Sequence, residues 1–194
     1  MPASSMKRKR AFEKLHSAIA RTKYVRVVRT LDGADRVDGY VVALSDDWVL
    51  LARTNGELGS DGWTALRIRD IFSIDKLAEG DSDVQARVLA ARGGWPPAAP
   101  QVCLINDLPG VVRTAQGASP LVAAHREMAR PDSVWVGVVR AVDAEHLSIL
   151  ELDSNAVWET LTTVFDSDDV TRVDFGGEYV TNLALVMGSA PSAD

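Results

Sequence analysis

The stretch DGYVVALSDDWVLLA, Asp38–Ala52, decides how this chain folds. Two apolar runs flank Ser45, Asp46 and Asp47, residue types that favour a tight turn, so the stretch predicts a β-hairpin. Counting 98 residues on from Gly39 reaches Gly137, inside VGVVRAVDAEHLSIL, Val136–Leu150. Each copy sets a glycine before a mixed strand, then an acidic turn (Asp46-Asp47, Ala144-Glu145). A bulky ring follows (Trp48, His146), then an apolar strand. A repeat at fixed offset sets architecture before any single motif does. It specifies a fold and leaves the chemistry open.

Towards the N-terminus, Phe12, Leu15 and Ile19 fall at helical spacing and predict an amphipathic helix over Met6–Lys23 with a basic outer face. Ser4 or Ser5 is the expected N-cap, and Met1–Ser5 a loose tail. Strands are expected at Tyr24–Leu31, Gly39–Leu44, Trp48–Arg53, Trp63–Ile68 and Ile71–Leu77, joined by turns rich in Asp, Asn and Gly. One helix and five short antiparallel strands fit a small bent barrel whose closure hides most strand edges.

Towards the C-terminus the layout returns. Asp81–Asp83 can cap a short helix carrying Val84, Val88 and Ala91, and GGWPPAAP (Gly93–Pro100) then breaks regular structure. Val102–Ile105 reads as a short strand or a pinned connection. Leu108, Val111, Val112 and Ala115 predict a helix with Asp107 as N-cap and Pro109 in its first turn. Strands follow at Pro120–Glu127, Val134–Val142, His146–Leu152, Trp158–Phe165 and Val170–Phe175, then a closing helical turn through Tyr179, Leu183 and Val186. The expected organisation is a helix and first barrel over 1–92, a linker over 93–106, a helix and second barrel over 107–188, and a tail over 189–194.

Composition bounds the function. With 46% hydrophobic and 25% charged residues the 194-residue chain is that of a folded globular protein. Cys103 is the single cysteine, so no intramolecular disulfide forms and a reducing, cytoplasmic setting is expected. No apolar run approaches the roughly 18–20 residues that span a bilayer, and no apolar segment follows the basic N-terminus as in a secretory signal. Arg outnumbers Lys and Ala and Val are abundant, which points to a GC-rich bacterial genome. Charge is uneven. Residues 1–23 hold seven Lys or Arg against Glu13 alone, whereas residues 120–194 hold 4 basic and 13 acidic side chains. An acidic body repels phosphate, so nucleic acid could be met only through the N-terminal segment.

These elements resemble the Sm-like barrel of the SH3-like class, and the tandem is similar to bacterial two-barrel proteins. Gly39, Val41, Leu44 and Leu50, and again Gly137, Val139, Val142 and Asp143, match the spacing of the family's first motif; Leu66, Arg67, Ile71 and Ile74 match its second, with Ile68 in place of Gly. The resemblance implies five bent strands behind a helix. It also implies an RNA pocket whose key residues are altered: Val49 and Leu147 stand where the family has Asn, and Asp166 where the second copy would have Arg.

Candidate sites are few. Lys7, Arg8, Lys9 and Arg10, with Arg67, are the candidate nucleic-acid contacts, and Trp95 beside Pro96-Pro97 the candidate partner contact. His16, His125 and His146 have no metal-ligand spacing, and Cys103 has no basic neighbour to activate it. The acidic run Phe165–Val170 could hold a divalent cation but lacks the turn glycine of known loops. No nucleophile elbow or phosphate loop occurs, so no catalytic residue, cofactor or metal is assigned. The expected function is a non-catalytic binding or adaptor protein acting on protein or on itself. The alternatives are RNA binding through the basic helix, and a carboxylate-based metal-dependent enzyme around Asp166–Asp169.

Overall fold

Asp38–Ala52 forms the hairpin its pattern dictates. In the computed structural model, which describes residues 2–55, 58–76 and 79–192, β2 (Val37–Leu44) runs antiparallel to β3 (Trp48–Thr54). Ser45 closes the turn by donating its amide to the Trp48 carbonyl oxygen at 2.9 Å. The Val136–Leu150 copy does the same with β7 (Val134–Val142) and β8 (His146–Leu152). Both hairpins carry a bulge at the corresponding place, between Val41 and Ala43 and between Val139 and Ala141, 98 residues apart. A bulge bends and twists a strand. Gly39 and Gly137 precede it because a Cβ there would collide with the Ala52 and Leu150 carbonyl oxygens of the facing strands.

Among the described residues the protein is mainly β, with four helices and one antiparallel sheet. Helix α1 (Pro2–Ala20) leads β1 (Tyr24–Arg29), the first hairpin, β4 (Ser60–Arg67), a 3-10 turn at Ile68–Asp70 and β5 (Ile71–Lys76). Helices α2 (Glu79–Ala91) and α3 (Leu108–Ala118) separate these from β6 (Val122–His125), the second hairpin, β9 (Trp158–Asp166), a 3-10 turn at Ser167–Asp169, β10 (Arg172–Phe175) and α4 (Glu178–Val186). Asp107 caps α3 as expected, its Oδ1 accepting the Gly110 amide at 2.7 Å. Two helix starts differ from expectation. Helix α1 begins at Pro2, a proline being suited to a first helical position, so Ser4 and Ser5 lie inside it rather than capping it. Helix α2 begins at Glu79, ahead of the expected cap. Val102–Ile105 forms no strand. The expected end of the fifth strand at Leu77 lies outside the described residues.

The expected pair of closed barrels is corrected by the strand order. All ten strands form one open sheet, β5-β1-β2-β3-β4-β10-β6-β7-β8-β9. Each half has the same internal order, but β10 of the second half lies against β4 of the first, pairing Val173 with Ala65 and Asp174 with Thr64. This leaves β5 and β9 as the two outer strands.

The core explains why the halves fuse. Alternate side chains of a strand point to opposite faces. Val49 and Leu51 of β3 join Leu15, Val27, Leu66 and Ile74 in a first core beneath α1. Trp48 and Leu50, on the other face, join Ala65 and the second half's Val111, Val112, Ile149 and Val173 in a core beneath α3. The apolar run WVLL is therefore buried on both sides. A smaller cluster holds α4 through Val180 and Leu183. No helix among the described residues is long and apolar enough to cross a membrane.

Gly137→Ala is expected to destabilise the protein by about 1–3 kcal/mol, the range of overpacking substitutions, because backbone rather than a flexible side chain fills the space. Urea unfolding followed by tryptophan fluorescence measures it; an unchanged midpoint would disprove the close approach.

Candidate functional site

The seam between β4 and β10 concentrates the molecule's buried polar chemistry. Strand β10 places Arg172 and Asp174 two residues apart, hence on one face, and Arg172 grips the Asp174 carboxylate with Nε at 2.8 Å and Nη2 at 2.5 Å. Thr64 of β4 donates its hydroxyl to Asp174 Oδ1 at 2.8 Å, and the His125 ring meets Oδ2 at 3.1 Å. Arg53 approaches the same carboxylate at 3.7 Å. Burial by itself would raise the Asp174 pKa, but Arg172 and His125 hold it well below the usual carboxylate range. A cavity of about 210 Å³ adjoins the cluster, lined by Asp61, Trp63 and Tyr179 among others. The Asp174 carboxylate is saturated, and Thr64 spends its proton on it rather than standing as a nucleophile for the histidine.

A second buried pair braces the same seam. Arg29 donates to both carboxylate oxygens of Glu127, one at 2.7 Å, and Thr171 adds a hydrogen bond at 2.7 Å. Burial pushes the Glu127 carboxyl up, but Arg29 and Thr171 outweigh it and leave its pKa lowered.

Arg67, a candidate nucleic-acid contact, is engaged within the chain. Its guanidinium lies 4.6 Å from the centre of the Trp48 ring and donates to the carbonyl oxygens of Val170 (2.9 Å) and Ser167 (2.6 Å). Lys9 and Arg10 are exposed on α1; the side chains of Lys7 and Arg8 lie outside the described residues. Trp95 is partly exposed and packs edge-on to Tyr40 at 5.5 Å. The Tyr40 hydroxyl is buried without a hydrogen-bond partner among the described residues, and burial raises its pKa to about 12. The linker lies over a cavity of about 300 Å³ lined by Tyr40, Trp63, Pro96 and Pro97, where Trp63 Nε1 donates to the Ala98 carbonyl oxygen at 3.0 Å. The acidic run is tied into ion pairs, Asp168 with Arg69 at 3.3 Å and Asp169 with Arg126 at 2.5 Å. No cluster of three or more His, Cys, Asp or Glu with metal-binding geometry occurs among the described residues. Cys103 is half-buried, and burial raises its pKa.

The outer strands carry exposed apolar side chains. On β9, Leu161 is 79% and Val164 59% exposed, whereas Ala65, which takes Val164's place on β4, is fully buried under β10. Phe72 on β5 is also exposed. Sequence reading singled out neither these edges nor the Asp174 cluster. The one available signal for the cluster was Arg172-x-Asp174, opposite charges two apart on a strand.

Comparison with models of known protein families, with curated proteins and with solved structures finds no match to this chain.

Asp174 and Glu127, with lowered pKa values in the fold, contribute stability that is present above the ordinary carboxylate range, about pH 4, and is lost as pH falls below it. Asp174→Asn leaves Arg172 buried and unpaired and is expected to cost about 3–5 kcal/mol. Denaturant midpoints for both proteins between pH 7 and pH 3 test this; equal midpoints, or equal acid sensitivity, would contradict it.

Proposed function

We propose that this protein is a non-catalytic binding module of two Sm-like halves, each a helix and five bent strands, that engages protein segments along its outer sheet edges. The observation that carries the reading is the contrast between Val164, exposed on β9, and Ala65, its buried counterpart on β4. An unpaired edge strand presents a row of amide and carbonyl groups to an incoming chain, and natural proteins normally blunt such edges. Here Leu161 and Val164 add apolar side chains where charge would protect. The common strand order and the bulges 98 residues apart support the tandem-barrel description. The saturated Asp174 carboxylate supports a structural rather than a catalytic role for the seam. The reducing-compartment composition is in keeping with a cytoplasmic module.

Leu161→Lys with Val164→Lys places two cations on β9 without touching the core. Affinity capture from native cells, quantified against the unaltered protein, is expected to lose its protein partners at least tenfold. Equal recovery of every partner would discard the reading.

The basic face of α1 supports a second reading, nucleic-acid binding, because Lys9, Arg10 and Lys14 are exposed together. It requires an affinity for single-stranded RNA that falls steeply with salt and vanishes when residues 1–10 are removed. No gel shift at about 50 mM salt, where such contacts are strongest, eliminates it.

A further inference from the structure

The cavity of about 300 Å³ under the linker has its cause in the strand register. Tyr40, Ala52 and Trp63 lie opposite one another on β2, β3 and β4, so their side chains stand in one row on one face. A single methyl group between two large rings leaves a gap. Phe175 continues the row on β10 and stacks on Trp63 at 5.6 Å, which fixes that wall. Leu89 of α2 and Pro96 and Pro97 of the linker complete the lining. Between Trp95 and Cys103, among the described residues, a single hydrogen bond ties the linker to the sheet, from Trp63 Nε1 to the Ala98 carbonyl oxygen.

The buried polar atoms left unspent there can both donate. Tyr40 is 2% exposed, and its hydroxyl has no hydrogen-bond partner among the described residues. Burial raises its pKa, so at neutral pH it keeps its proton. Arg53 lines the same cavity from a bulge between β3 and β4, a place where a side chain can be re-aimed, and its buried Nε has no partner among the described residues. Asp61 and Asp174 stay 3.7 Å from its guanidinium, beyond hydrogen-bond reach. Each has a shorter partner, the Glu178 amide at 3.0 Å for Asp61 and Arg172 at 2.5 Å for Asp174. A buried donor left unpaired costs stability, so a pair of them facing one cavity calls for an acceptor.

We propose that this cavity binds a small aromatic carboxylate, its ring between Tyr40 and Trp63 and its acid group on Arg53, with the Tyr40 hydroxyl as a further donor. A planar carboxylate matches the guanidinium fork, and a flat apolar ring fits a slot walled by aromatic side chains and prolines. A volume of about 300 Å³ is at the small end of ligand sites and admits no more than a fused pair of rings. The internal repeat supplies an independent argument. The second half builds the same row beside the same bulge from Val138, Leu150 and Thr162, with Glu151 in place of Arg53. There Leu150, buried, occupies the place of Ala52, and Glu151 is engaged by the Thr163 hydroxyl. The hairpin therefore folds without the rings, the gap or the cation, and the first half carries them for a purpose other than folding. Asp61 and Asp174 repel an incoming acid, which holds its dissociation constant to about 10–1000 µM for so small a ligand. Entry lifts the linker from the sheet, so Trp95, edge-on to Tyr40, reports on binding. The site is separate from β5 and β9 and independent of the edge-binding reading.

Heteronuclear NMR on the full chain tests the proposal, with benzoate and naphthoate as probes and naphthamide as the neutral control. At least one acid is expected to shift the Trp63 and Trp95 indole signals to saturation below about 5 mM, and naphthamide to bind at least tenfold more weakly than naphthoate. Ala52→Leu fills the gap as Leu150 does in the second half and should abolish binding, with folding checked by circular dichroism. Arg53→Gln, at a half-exposed position, should weaken the acids at least tenfold and leave naphthamide unchanged, a split that a merely structural arginine would not produce. It keeps the test decisive should Ala52→Leu fail to fold. Tyr40→Phe should weaken the acids about threefold or more without loss of stability, since it deletes an unpartnered hydroxyl. No saturable shift with either acid, naphthamide bound as tightly as naphthoate, or acid binding undiminished by Arg53→Gln overturns the proposal. Protein capture through β9 is untouched by these substitutions, so either reading can fail alone.

Discussion

The pairing of β4 with β10 is the constraint on which the rest of this structure depends. Without it, β4 and β10 would both expose unpaired backbone, and Trp48, Leu50 and Ala65 would lose the core they share with α3. The charged groups at the seam follow from that burial. A buried carboxylate is costly unless paired, and Asp174 meets Arg172, His125 and Thr64 together. Arg67 adds directionality, because a guanidinium can satisfy the Ser167 and Val170 carbonyl oxygens while stacking on Trp48.

The same constraint makes the two halves unequal despite their common strand order. Helix α3 turns an apolar face, with Leu108, Val111, Val112 and Ala115, toward a core completed by the other half. Helix α1 covers only its own half, through Ala11, Leu15 and Ala18, and exposes Lys9 and Arg10. One core is thus completed by the neighbouring half, whereas the other is completed within its own.

Much of the fold was legible because it rests on local rules. Alternation and turn residues marked the strands, the glycines marked the bulged hairpins, and Asp107 with Pro109 marked the start of α3. The misjudged features have identifiable causes. The start of α1 was misplaced because serines suggest caps wherever they occur, while Pro2 was the better signal. Closure of each half was inferred from strand count, yet strand count cannot say which edge finds which. His125, Arg172 and Asp174 went unnoticed because they are 47 and 2 residues apart in sequence and meet only when β6 and β10 pair. The contacts of Arg67 with Ser167 and Val170 were likewise beyond local rules, because they join residues 100 and 103 apart in sequence.

The hairpin copies show where the boundary lies. WVLL at Trp48–Leu51 is an uninterrupted apolar run, and such a run by itself requires cover on both faces. HLSIL at His146–Leu150 alternates with polar residues, so one of its faces tolerates water. The sequence alone thus determined two bent hairpins, one doubly buried and one half-buried. Only the tertiary structure decided what covers Trp48 and Leu50, because the covering groups, α3 and β10, are 58 or more residues away in the chain. Periodicity records that a face is buried. Which distant segment buries it depends on shape and charge assembled across the whole chain.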